Sequence, residues 1–184
     1  MKALNVISTA LLMLNEYDLH KYIADGGFTQ DKFEKDKELL IKSLNEALYS
    51  ITEYYPLVEC ERHEPQNGKI EYKNFSKNVH KIVAVYSDDG LKVSAEICPV
   101  YIKTQIPLNV TYKYFVTVSN LNDELPYENT PITENTLAFG LISEFLVYKG
   151  RFNEALAYSD KFVEGLIKAR SFLNRKKLRA REWF

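Results

Sequence analysis

The sequence predicts an α+β protein: a bundle of about four helices, two N-terminal and two C-terminal and antiparallel, with an inserted small antiparallel β unit and an extended basic C-terminal arm. Three observations carry this. Apolar residues recur at helical spacing near both ends of the chain. Between Leu57 and Ser119 the period drops to two, and turn residues become frequent. The last 20 residues then hold seven cations, Lys168, Arg170, Arg175, Lys176, Lys177, Arg179 and Arg181, against the single anion Glu182. The expected division is a helical domain of residues 1–56 and 133–174, a β domain of 57–132, and an arm of 175–184.

Ala3, Val6, Ile7, Ala10, Leu11 and Leu14 form one apolar stripe, so the first helix begins at the N-terminus. A lysine followed by apolar residues imitates a signal peptide, but Asn5, Ser8 and Thr9 interrupt the run and no small-x-small cleavage site follows promptly. The segment therefore reads as an amphipathic helix, and the protein is expected to be intracellular when made. Residues 15–29 read as a loop ending in the turn signal Asp25-Gly26-Gly27. Thr29 can cap a second helix from Gln30 to Tyr55, with Phe33, Leu40, Leu44, Ala47, Leu48, Ile51 and Tyr55 on its buried face and Pro56 ending it. Its charged residues from Asp31 to Glu38 read as a solvated face.

Five to six strands are expected next. Residues 57–63 and 69–72 flank Asn67-Gly68 and read as a hairpin. Residues 81–86 and 91–97 flank Asp88-Asp89-Gly90, and 101–104 and 110–118 complete the unit, with Val110, Tyr112, Tyr114 and Val116 on one face. A polar loop, 120–132, returns to the third helix, Glu134 to Lys149. There Thr133 is the N-cap, Ile132 and Leu137 form a hydrophobic staple, Leu137, Leu141, Phe145 and Tyr148 share a face, and Gly150 is the stop. Gly140 inside this helix should destabilise it by about 1 kcal/mol relative to Ala, and close approach of another backbone is one reason to tolerate it. The fourth helix runs from Asn153 into the 170s, its expected buried face being Ala155, Leu156, Ser159, Phe162, Val163, Leu166, Ile167 and Leu173. A short connection makes the pair antiparallel neighbours.

Composition narrows the function classes. With 46% hydrophobic and 13% aromatic residues the 184-residue chain can bury a real core. No apolar run reaches about 18 residues, so no membrane span is expected. No phosphate-binding glycine loop, dinucleotide fingerprint or nucleophile elbow is present, and neither catalytic residues nor a cofactor is expected. Cys60 and Cys98 read as reduced, small apolar residues. Cys60, His63, His80 and Cys98 can be imagined around zinc, but the Cys60-x-x-His63 spacing is not repeated by the other two, so no metal is expected. Glu59, Glu61 and Glu64 suggest paired carboxylates, which an exposed strand face explains as well.

The arm is the sharper feature. Its charge is +6 over the last 20 residues, which leaves −7 on the first 164. Arg175, Lys176, Lys177, Arg179, Arg181, Trp183 and Phe184 are the candidate partner-binding residues, and Trp183 is the only tryptophan. Three readings stand beside one another. The cations complement a helix C-terminus; or, interleaved with aromatics, they make a nucleic-acid-binding module; or Arg and Trp dock into a partner protein.

In layout the chain resembles the head-to-tail adaptors of tailed phages, the connector family that includes the tail tubular protein A type of short-tailed phages. The residues that carry the resemblance are a short apolar helix, Ala3 to Leu14; a longer one ending in Glu53-Tyr54-Tyr55-Pro56; a small β unit; the pair Thr136-Leu137-Ala138-Phe139-Gly140 and Asn153-Glu154-Ala155-Leu156-Ala157; and the ending with Arg181 and Trp183. The resemblance implies a non-enzymatic virion protein of the neck or tail region, assembled in the host cytoplasm. It implies a ring of about twelve copies between the portal protein and the tail tube or nozzle, with a central channel that DNA crosses without sequence-specific binding.

Overall fold

A computed structural model describes residues 1–25 and 31–173. The chain divides into two compact units: Met1–Ala47 together with Val118 onward, and Leu48–Thr117.

The helical unit is built from α1 (Ala3–Met13), α2 (Tyr17–Asp25), the first part of α3 (Asp31–Tyr54), α4 (Glu134–Tyr148) and α5 (Phe152–Leu173). Its core takes Ala3, Val6, Ile7, Ala10 and Leu11 from α1 and Leu40, Leu44 and Ala47 from α3. No side chain caps α1. Its first N–H groups are instead bound by backbone carbonyls of the return loop, Ala3 to Asp123 at 3.0 Å and Leu4 to Leu121 at 2.8 Å. Asn45 clamps the same loop from α3: its amide donates to the Val118 carbonyl at 2.9 Å and its side-chain carbonyl accepts from the Val118 N–H at 2.7 Å.

The β unit holds the last turns of α3 and six strands in two antiparallel sheets. The first sheet orders β1 (Leu57–His63), β6 (Leu108–Phe115) and β3 (Asn78–Tyr86) as β1-β6-β3; the second orders β2 (Lys69–Glu71), β5 (Tyr101–Lys103) and β4 (Glu96–Ile97) as β2-β5-β4. Alternation along β6 buries Leu108, Val110, Tyr112 and Tyr114 on one face, and Val116 follows them inward.

The expected architecture, a bundle of about four helices with one small inserted β unit, is corrected here. Five α-helices are described, and the β residues split between two sheets. The additional helix, α2, falls where a loop was expected. It buries only Leu19 and Ile23, one turn apart, too few apolar residues to announce a period. The expected 57–72 hairpin does turn at Asn67 and Gly68, both at positive φ (52° and 74°), but its two strands join different sheets. The return after Gly90 makes an isolated bridge from Tyr86 to Lys92 before β4 pairs with β5. Residue 29, the expected cap, and residues 175–184, the expected arm, lie outside the described residues.

Candidate interaction surface

The surface that best fits a partner lies on the α4–α5 hairpin. Thr133 caps α4 as expected, its hydroxyl accepting from the Thr136 N–H at 3.2 Å, with Ile132 and Leu137 buried beside it. The helix ends at Tyr148 with Lys149 as its C-cap, and Gly150 follows at a φ of +74°. Thr136, Leu137, Ala138, Gly140, Leu141, Ile142, Ser143, Phe145 and Leu146 are buried, and together they go round most of its circumference. A Cβ placed on Gly140 would stand 2.7 Å from the Phe162 ring and 2.9 Å from Ala47, so the absent side chain lets α3 and α5 approach α4. Tyr148, on the same face as Leu141 and Phe145, is 42% exposed, with the Lys42 ammonium 4.6 Å from its ring centroid.

Helix α5 departs from expectation in a more informative way. Ala155, Phe162, Leu166 and Ala169 are buried, whereas Leu156 is 64% exposed, Ile167 58% and Val163 38%. Phe152, at the start of the helix, is 65% exposed. The expected burial of Leu156, Val163 and Ile167 is therefore corrected; Leu173's side chain lies outside what is described. At 100° per residue Phe152, Leu156, Val163 and Ile167 fall within a 60° arc, immediately beside the covered line of Phe162 and Leu166. The apolar arc of α5 is wider than the surface its own unit gives it. Asp160 and Glu164 edge the open side, the latter paired to Lys168 at 2.6 Å.

Arg175, Lys176, Lys177, Arg179, Arg181, Trp183 and Phe184 lie outside the described residues. In sequence, the expected arm starts two residues after Leu173, the last residue of α5.

The β unit brings together residues that the sequence left apart. Glu61 is not on an exposed strand face: its carboxylate accepts from the Tyr112 hydroxyl, from the Ser76 hydroxyl at 2.5 Å and from the Ser76 N–H at 3.2 Å, and lies 3.1 Å from His63 Nε2. Burial works against its charge, yet the Ser76 and Tyr112 hydrogen bonds outweigh it and hold the carboxyl below its usual range. Burial, reinforced by Glu61, pushes the Tyr112 hydroxyl up to about 12. Both groups thus keep their ordinary protonation at neutral pH, and the cluster ties β1 to the segment before β3. Glu64 pairs with Arg62 at 3.0 Å instead of joining it.

Of the four candidate zinc ligands, the two histidines have separate carboxylate partners. His80 Nε2 stands 3.4 Å from Glu53, His63 faces Glu61, Cys60 is exposed and Cys98 half-buried. Among the described residues, no group of three or more His, Cys, Asp or Glu side chains is arranged to hold a metal ion. A cleft of about 420 Å³ beside β3 is lined chiefly by Val83, Val85, Val93, Ala95 and Ile97, with Lys92 as its charged residue. No described helix is long and apolar enough to cross a membrane. No family model matches this chain, and no curated protein matches it.

Proposed function

We propose that this protein is a structural, non-enzymatic ring subunit, a head-to-tail adaptor between the portal and the tail of a tailed phage. The observation that carries the reading is the open apolar arc of α5, continuous with the covered one and leading directly into the cationic segment. A fold that leaves Phe152, Leu156, Val163 and Ile167 in solvent exposes a line of contact area that association would bury. Five cations with Trp183 and Phe184 in the next ten residues have the composition of an interface anchor. In this reading the arm is held by a neighbouring subunit or by the portal. The acidic remainder of the chain suits a channel that passes DNA without gripping it. The protein's place is then the neck or tail of the virion, and the host cytoplasm during assembly.

Electron microscopy of the purified protein, alone and mixed with portal, tests this. Rings are expected, on the order of twelve copies each. A protein that stays monomeric under both conditions refutes it. Micromolar binding to duplex DNA that weakens steeply with salt, without rings, favours a nucleic-acid-binding module instead.

A further inference from the structure

The open stripe of α5 calls for a specific occupant, and the same chain contains one. Phe152 to Ile167 spans about 22 Å along the helix. Residues 174–184 reach about 36 Å when extended, enough to leave one subunit and run the length of a stripe on the next. Within them Leu178 and the pair Trp183-Phe184 are separated by roughly 18 Å of extended chain, close to the spacing between Ile167 and Leu156. The charges also correspond. This segment carries +4 and the rest of the chain −5, and Asp160 and Glu164 lie along the open edge of the stripe. No glycine or proline occurs between Ala169 and Phe184 to mark a reversal onto the segment's own helix.

We propose that the stripe of Phe152, Leu156, Val163 and Ile167 is the seat of residues 174–184 from a second copy of this chain. Leu178, Trp183 and Phe184 are the apolar anchors, and Arg179 and Arg181 meet the acidic edge. The contact is heterologous, one surface of each copy against a different surface of the next, which is the kind that closes rings. The inference deepens the ring reading and rests on it for the arm's partner being a second copy.

Trp183 reports its own burial, because it is the only tryptophan. The test is the emission of the full-length protein across a dilution series, beside the full-length Leu156→Glu/Ile167→Glu variant. Both positions are more than half exposed, and circular dichroism checks that the variant is folded. The expected result is a shift of Trp183 emission to shorter wavelength as concentration rises. The double variant should need at least about tenfold more protein for the same shift. A short-wavelength emission that survives full dilution means the arm seats on its own subunit and overturns the proposal. So does an unchanged dilution curve in the double variant, or a shift that appears only when DNA or portal is added. Rings seen by microscopy while Trp183 stays solvent-exposed overturn this seat and leave the ring reading standing. Concentration-dependent burial in open chains or pairs keeps the seat and removes the ring.

Discussion

Helices α4 and α5 are joined by three residues and packed against each other, yet they relate to solvent in opposite ways. Along α4, buried residues fall on nearly every side, and Gly140 removes even a methyl group so that its neighbours can close in. In α5 a similar supply of apolar residues is spread over a wide arc, and among the described side chains the buried ones follow the line through Ala155, Phe162, Leu166 and Ala169. The first helix is a core element of its own unit. The second is half core and half unclaimed contact area. Apolar periodicity shows that a helix has a face; it does not show which molecule covers it.

Substitutions along the hairpin can break or sharpen that contrast. The largest effect is expected from Leu141→Ala in α4, which should cost about 2–5 kcal/mol in chemical denaturation because the site is enclosed on all sides. Gly140→Val comes next. Its new side chain meets Phe162 and Ala47 at under 3 Å, so a loss of about 1–3 kcal/mol is expected from the same measurement. At the other end, Leu156→Ser in α5 should change monomer stability by no more than about 0.5 kcal/mol, since the side chain is 64% exposed. A loss comparable to that of Leu141→Ala would mean that α5 is covered within its own subunit, and the contrast would fail.

The β unit offers an intermediate case. Glu61→Ala removes the acceptor of the buried Tyr112 hydroxyl and should cost about 1–3 kcal/mol. The sign of the pH dependence follows from the lowered carboxyl. Its contribution is complete above the ordinary glutamate range and is lost as pH falls through the lowered folded-state value, so wild-type stability should drop on acidification below that range and the variant should show less of that drop. Equal acid sensitivity in both proteins would show that other carboxylates set it.

What could be read from the sequence was local. Thr133 and Gly150 bracket α4 because a cap and a stop need only neighbouring residues. Asn67-Gly68 marks its turn for the same reason. The partners of β1 and β2 were not readable, since strand pairing is decided by residues far along the chain: Leu57 faces Tyr114, and Lys69 faces Lys103. Glu61 was misjudged on similar grounds, its partners Ser76 and Tyr112 being 15 and 51 positions away. Helix α2 escaped notice because two buried residues make no repeat. As for the candidate site, the apolar residues of α5 were visible as one stripe, and the border between its covered and open halves was not.

The capping of α1 has a consequence for synthesis. Its first amides are satisfied by carbonyls of Leu121 and Asp123, more than a hundred residues downstream. While a ribosome is still making the β unit, the opening helix has no such acceptors to bind. Residues 1–47 share a compact unit with the segment from Val118 onward, so that unit can close only after the return loop has emerged.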